Sequence, residues 1–481
     1  MRPRSPNLAL SEQGQVRHDG RVHTTRLADL LGPWLADGPA YAAVAAGVRG
    51  LALDGRLAVG TRIPSERQLA VALGLSRTTV SAAYDLLREE GYLRSAHGAG
   101  SVLTLPALPP VRPDADPGEP AVVTDLTIAA FPAPAQLLGA VEAAATDLRP
   151  LLSGRGLHPF GLPSLRAAIA RHLTARGVDT AADQVLVTSG ALQGWNLLLG
   201  AVTSPGQRVL VEQPTYPAVL DAVAAHHLRP LALPVSSDGW EAPAGQADVV
   251  LVTPDGQNPT GLLATEGQRR ALLAALDARL VVVDETLADL VLDGDPPPRM
   301  AALDRRVVTL GSMSKTFWAG LRIGWVRAEP ELLARLARVR GTVDLAGPVL
   351  EQLVAVRLLA QADEMVAERI ATVRAARDAL IGALAAGLPD WRVEAPRAGA
   401  VLWVELPGLS ATRLAAHALD LGLRIAPGPR FTVDGTADRW LRLPLTGFGE
   451  DVGALVGVLR QAAGRTASGA DSRRTAPRWT A

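Results

Sequence analysis

The chain has 481 residues, a formal net charge of zero and no cysteine. Such a length allows about three domains, and neutrality denies the chain a global field toward nucleic acid, so any DNA contact must be a local patch. Without thiols there are no disulfides or thiolate metal sites, which suits a reducing cytosol. The N-terminal stretch up to Gly20 holds no apolar signal core. No apolar run is long enough to cross a bilayer, since Ala271 to Val283 is broken by Asp277 and Arg279.

Residues 1–24, with scattered Arg, His and Gly, read as a disordered arm. Residues 25–104 read as a compact helical domain. Tyr41 to Leu53 carries apolar residues at helical spacing and stops at Asp54-Gly55. Ser65, after Pro64, is placed to cap the next helix, with Gln68 completing a capping box. That helix ends at Gly74. Ser76 opens another, with Val80, Ala83, Tyr84 and Leu87 as its apolar stripe. The spacing is that of a helix-turn-helix. Tyr92-Leu93-Arg94 and Ser101 to Thr104, joined through His97 to Gly100, form a short β wing.

RIPSERQLA (Arg62 to Ala70), LSRTTVSAAY (Leu75 to Tyr84) and LLREEGYL (Leu86 to Leu93) resemble the winged-helix domain of GntR-family transcriptional regulators. The resemblance implies that Arg62, Ser65 and Arg67 contact phosphates. It also implies that Ser76, Arg77, Thr78 and Thr79 open the recognition helix, and that the turn from Gly98 to Gly100 enters the minor groove. A helix N-terminus bearing small hydroxyls and one Arg can satisfy phosphate oxygens and reach base edges. The domain is only mildly basic, so two copies on an operator with repeated or palindromic half-sites are expected.

Residues 105–122, with six prolines between Leu105 and Pro120, read as an extended linker. At ~3 Å per residue the proline stretch would span some 45 Å.

From there to residue 465 the pattern alternates helix and strand. Gln184 to Thr188, Arg208 to Val211, Val249 to Thr253, Leu280 to Asp284 and Val307 to Leu310 are runs without polar alternation, as buried parallel or mixed strands are. Leu162 to Ala175, Leu192 to Val202 and Thr265 to Ala278 read as helices, the last opened by a Thr265–Gln268 capping box. Ligands in such sheets bind past the carboxyl ends of strands. Ser189-Gly190-Ala191-Leu192, Tyr216, Asn258, Asp284 and the stretch Ser312 to Arg322 all fall there. Within that stretch Lys315 is the only lysine of the chain; the other 47 of its 48 basic residues are arginine. Guanidinium keeps its proton and cannot serve as an amine nucleophile, whereas a lysine amine with a lowered pKa can condense with a carbonyl. Gly341 to Ala386 reads as one long helical stretch, Trp391 to about Gly464 as alternating strand and helix, and residues 466–481 as a disordered tail.

These five fragments, in this order, resemble the fold-type I aminotransferases that use pyridoxal 5′-phosphate (PLP). The fold implied is α/β: a large mixed-sheet domain with a small α+β subdomain at about 341–465, within 123–465. The resemblance implies that Lys315 forms the Schiff base with PLP, that Asp284 pairs with the ring nitrogen, that Asn258 bonds the phenolic oxygen and that Tyr216 stacks on the ring. It assigns Gly190, Ala191, Leu192, Ser312, Ser314 and Arg322 to the phosphate, and Arg442 to an effector or substrate carboxylate. A bidentate guanidinium suits that last task. Three positions depart from the family pattern. Thr286 replaces a tyrosine, Ala319 replaces a proline, and Gly156-Leu157-His158-Pro159 stands where Tyr-Gly-Asp-Pro is common. These departures leave cofactor binding intact and weaken the case for efficient transamination.

Head, linker and body together resemble the MocR subfamily of GntR regulators. The expectation is a cytoplasmic homodimer, nucleoid-associated when bound to double-stranded DNA and independent of membranes. An amino-compound effector, or PLP itself, would act at Lys315 and change operator binding, with at most weak half-transamination. Two alternatives stay open: an active aminotransferase carrying an accessory DNA-binding head, and a cofactor-free body that only dimerises.

Overall fold

In the computed structural model the described residues are 22, 24–31, 39–53, 57, 61–89, 92–96, 100–104, 124–242, 245–449 and 451–467. Gly98, the linker at 105–122, nearly all of the arm and all but two residues of the tail lie outside them. The chain forms two compact units, Met1–Ala115 and Asp116–Ala481.

The first unit holds the helices Thr24–Leu31, Ala40–Leu53, Glu66–Leu73 and Arg77–Glu89 and the strands Leu93–Ala96 and Gly100–Leu103. Ser65 and Gln68 form the reciprocal capping box, and Gly74 at φ 66° turns the chain toward the next helix. The Ser76 hydroxyl accepts from Thr79 N (3.1 Å) and so caps that helix. Val80, Ala83, Tyr84 and Leu87 are fully buried with Val44, Val48 and Leu69. The Tyr84 hydroxyl donates to Pro64 O (2.8 Å), which fixes the angle between the two helices. The two strands pair antiparallel, Leu93 opposite Leu103.

The second unit is built on an eight-stranded sheet. Its spatial order is Val185–Thr188, Gly324–Arg327, Val307–Ser312, Ala278–Asp284, Ala247–Val252, Arg208–Gln213, Arg229–Ser236, Gly239–Trp240. Gly324–Arg327 runs antiparallel to both neighbours and Gly239–Trp240 antiparallel to Arg229–Ser236; the remaining pairings are parallel. Two apolar clusters lie on its two faces, one around Ile169, Phe317 and Leu353, the other around Trp195, Val211 and Leu333. A four-stranded sheet, ordered Arg392–Val393, Val401–Glu405, Trp440–Pro444, Ala426–Pro427, carries a third cluster with Leu380, Leu414 and Leu459.

Three elements differ from the sequence reading. The helix expected over Thr265 to Ala278 is Glu266–Ala275, because Leu276 turns extended and Ala278 already begins a strand. The helical stretch expected from Gly341 to Ala386 is two helices, Val349–Leu359 and Ala362–Gly387. The first packs Leu353, Val354 and Leu358 into the large-sheet core rather than the small one. The last helix runs through Ala467, with Thr466 donating to Ala462 O (2.9 Å), so the expected tail begins inside it.

Candidate functional site

The parallel strands end at one edge, and the residues singled out in the sequence follow those ends. The turn Ser189-Gly190 leads from Val185–Thr188 into the helix Ala191–Val202. Gly190 sits at φ 92° and offers no side-chain cap, so the first amides of that helix, from Ala191 and Leu192 on, remain available to an anion. The Arg322 guanidinium crosses this turn. It donates to Ser189 O (2.8 Å), and a Cβ on Gly190 would stand 3.0 Å from its Nη2. Ser312 Oγ donates to Ser314 Oγ (3.0 Å) and accepts from Ser314 N (3.1 Å). Helix amides, hydroxyls and a guanidinium together make a cradle for a phosphate-sized anion.

Gly324 makes this approach possible, because a Cβ there would meet Gly190 backbone at 2.6 Å and Gly311 O at 2.7 Å. Backbone on both sides cannot yield, so Gly324→Ala should destabilise the body by about 1–3 kcal/mol and displace the Gly190 turn. Denaturant unfolding of the full chain, with anion binding measured beside it, checks this.

Lys315 lies just past Val307–Ser312, in the turn Ser314–Trp318. Burial, reinforced by the Arg442 charge and opposed by Asp284, lowers its amine from 10.5 to about 8. Its Nζ donates to Ala129 O (2.5 Å). Asp284 closes the neighbouring strand. Burial raises its carboxyl above the usual range, while hydrogen bonding from Thr286, whose amide donates to Oδ1 (2.8 Å), and the Lys315 charge pull it back. Asn258 follows the strand Ala247–Val252, and its buried Oδ1 has no partner among the described residues. Such an orphan invites a ligand atom. Tyr216 caps the helix Pro217–Ala225 and leaves 42% of its surface open, while crowding around its hydroxyl raises the phenol.

Arg442 stands on Trp440–Pro444 and is 3% exposed. Burial lowers its guanidinium to about 10. It donates to the carbonyls of Thr127 and, at 3.5 Å, Leu126, and lies 5.4 Å from the Phe431 ring centroid.

Sequence reasoning missed three residues here. Glu212 is 1% exposed and its carboxyl is raised to about 7, burial outweighing its hydrogen bonds. Those bonds come from Trp240 Nε1 (2.7 Å), Thr253 N (2.8 Å) and Gln257 Nε2 (3.1 Å). Gln257 also donates to Pro214 O (2.7 Å). The pair thereby braces the loops that carry Tyr216 and Asn258. Arg430 follows Pro429 in the turn Gly428–Phe431, and its charge is felt at Tyr216 and Arg442. None of the three carries a local sequence signal, because the partners that define each lie far away in the chain.

On the head, Arg62, Ser65, Arg67, Ser76, Arg77 and Thr78 are exposed, Thr79 is half-buried, and Gly100 is exposed at φ 83°. Arg88 is spent internally on Asp85 (2.5 Å) and Glu66 (3.2 Å). The free positive charge on this unit therefore rests with residues such as Arg62, Arg67 and Arg77.

Family models match the chain over most of its length. Residues 124–458 match aminotransferase class I and II, and residues 40–103 match the bacterial regulatory proteins of the gntR family. The probable rhizopine catabolism regulatory protein MocR of Rhizobium meliloti is 30% identical, covering 63% of this chain and 68% of that protein. The HTH-type pyridoxine biosynthesis transcriptional regulator PdxR of Corynebacterium glutamicum is 30% identical, covering 78% and 85%. The crystal structure of an alpha-aminoadipate aminotransferase from Thermus thermophilus, complexed with N-(5′-phosphopyridoxyl)-L-leucine, is similar at a TM-score of 0.66 and 27% identity, over 72% of this chain and 93% of that one. No helix among the described residues is long and apolar enough to cross a membrane.

Proposed function

The chain belongs to the aminotransferase class I and II family and joins that body to a gntR-family head in the arrangement of the MocR/PdxR-type regulators, and on this premise we propose a DNA-binding transcriptional regulator that binds pyridoxal 5′-phosphate at Lys315 and responds to an amino-compound effector, or to the cofactor itself, at the same place. The observation that carries the reading is the sole lysine, half-buried at the strand ends with its amine lowered to about 8. Bound there, the cofactor supplies an aldehyde for covalent attachment and an electron-poor ring.

The residues fit that group. The lowered amine gives Lys315 a usable neutral fraction near neutral pH. Asp284 would hold a proton on the ring nitrogen, the orphaned Asn258 Oδ1 would accept from the phenolic O–H, and Tyr216 would cover one ring face. Gly190, Ala191, Leu192, Ser312, Ser314 and Arg322 would take the phosphate. Arg442 would orient an effector carboxylate. On DNA, Arg62, Ser65 and Arg67 would hold phosphates, and Ser76, Arg77, Thr78 and Thr79 would enter the major groove of repeated or palindromic half-sites, with the Gly98–Gly100 turn in the minor groove. A homodimer would present two heads to such paired half-sites. The regulator acts in the cytoplasm, where the operator is.

An effector shifts operator binding only by its unequal affinity for two conformations, a coupling of about 1–3 kcal/mol. The test is borohydride reduction of the full chain with PLP, followed by peptide mass analysis and operator titration with and without the cofactor. A pyridoxyl group on the Lys315 peptide and a cofactor-dependent operator affinity are expected; absence of the adduct sinks the reading. A second reading, an aminotransferase with an accessory head, rests on the full set of strand-end residues. Steady turnover of an amino donor with a keto acid would favour it.

A further inference from the structure

Thr124–Asp125, the first described residues of the body, pair in parallel with Leu423–Arg424, and Leu126 N donates to Arg424 O (2.8 Å). From Leu126 to Pro134 the backbone forms no helix or strand. It is instead fastened by its carbonyls. Arg442 takes those of Leu126 and Thr127, Lys315 Nζ takes Ala129 O (2.5 Å), Thr446 Oγ1 takes Ala130 O (3.1 Å), and Arg369 Nη2 takes Pro132 O (3.2 Å). Arg369 also lies 4.7 Å from the Phe131 ring centroid. Leu126 and Phe131 are buried in the small-sheet cluster and pin the two ends, whereas the Ile128 side chain between them is 62% exposed and adds no packing of its own.

Two of the four fasteners, Lys315 and Arg442, are the cations that a carbonyl cofactor and a carboxylate effector would need. The other two, Thr446 and Arg369, grip the strap toward its far end and compete with neither. Upstream of the strap, beyond the paired Thr124–Asp125, lie residues 105–123 and the head.

We propose that the strap from Thr127 to Ala130 is a latch, held by Lys315 and Arg442 and loosened as a ligand takes either cation. This rests on the cofactor reading above. Condensation of the Lys315 ammonium with an aldehyde forms a carbon–nitrogen double bond and releases one water and one proton. The nitrogen then lacks the three N–H donors of an ammonium, and Ala129 O loses its charged partner. A carboxylate on Arg442 draws the guanidinium from Thr127 O in the same way, since charge-assisted bonds outcompete those to a neutral carbonyl. The anchoring of this segment, which follows the linker and the paired Thr124–Asp125, thus depends on site occupancy.

The chain has no cysteine, so Ile128→Cys gives a single thiol for a nitroxide label in the full-length protein. Its spectrum is recorded with and without PLP. The same sample is then reduced with borohydride and its Lys315 peptide weighed. Loss of one charge-assisted bond should raise the mobile fraction about tenfold. In a Lys315→Met background the label should be mobile from the start and indifferent to PLP. A Lys315 adduct with an unmoved label overturns the latch alone, as does a Lys315→Met label as immobile as that on the lysine chain. No adduct overturns the cofactor reading and the latch with it.

Discussion

Lys315→Met should stabilise the cofactor-free body by about 3 kcal/mol at pH 7, and the gain should fade as pH rises from 8 toward 10.5. The amine titrates at 10.5 when exposed and at about 8 in the fold, chiefly because burial penalises its charge, with Arg442 adding to that. At ~1.4 kcal/mol per tenfold, the gap corresponds to about 3 kcal/mol. Below pH 8 both folded and unfolded chains carry the proton, so the fold bears the full cost of the buried ammonium. Between 8 and 10.5 the unfolded chain binds more protons than the folded one, and stability of the lysine-containing chain rises with pH. Above 10.5 neither state is charged and the cost is gone. A methionine of similar length lacks the charge throughout. Denaturant midpoints of both chains at pH 7 and pH 10, without cofactor, give the comparison. Equal midpoints at pH 7 would show that the site stores no such strain. A residue that weakens the fold and yet stands as the only lysine is one kept for chemistry rather than for packing.

Much of the body was legible because its strands are buried on both faces. Val307 to Leu310 and Leu280 to Asp284 show no polar alternation, which marks them as central, and polar residues just past such runs stand at the carboxyl edge of the sheet, where ligands of such sheets bind. That logic located Ser189, Tyr216, Asn258, Asp284 and Lys315. The two capping boxes, Ser65 with Gln68 and Thr265 with Gln268, were equally plain, since each is local to four residues. What stayed hidden depends on distant parts of the chain. Helical periodicity continues from Val349 to Gly387 across the break at Ala360-Gln361, and nothing local tells that Leu353 packs on the large sheet while Leu380 packs on the small one. Glu212 and Gln257 read as loop residues, yet they form a buried brace across 45 positions. The grip of Arg442 on Thr127 spans 315 positions and has no sequence signature.

Arg442→Gln should weaken a carboxylate-bearing effector by about 2–5 kcal/mol, which is roughly thirty- to several-thousand-fold, while leaving the pyridoxyl adduct on Lys315 in place. Arg442 is 3% exposed, and no acidic side chain of the described residues lies within ion-pair distance of it. Its partners are two backbone carbonyls and a phenyl face, and its Nε has none. A buried guanidinium without an anion is costly, and the lowering of its pKa to about 10 by burial reports that cost. A carboxylate arriving from solvent would relieve it with paired, charge-assisted hydrogen bonds. Glutamine keeps a polar end but neither the charge nor the fork, so the loss should appear for carboxylate effectors and be small for amines that lack a carboxylate. Titrating both kinds against both chains, by the visible spectrum of the bound cofactor, separates this role from a merely structural one. A variant that binds the two kinds as tightly as the parent chain would place the carboxylate elsewhere, with Arg430 as the next cation at the mouth of the site.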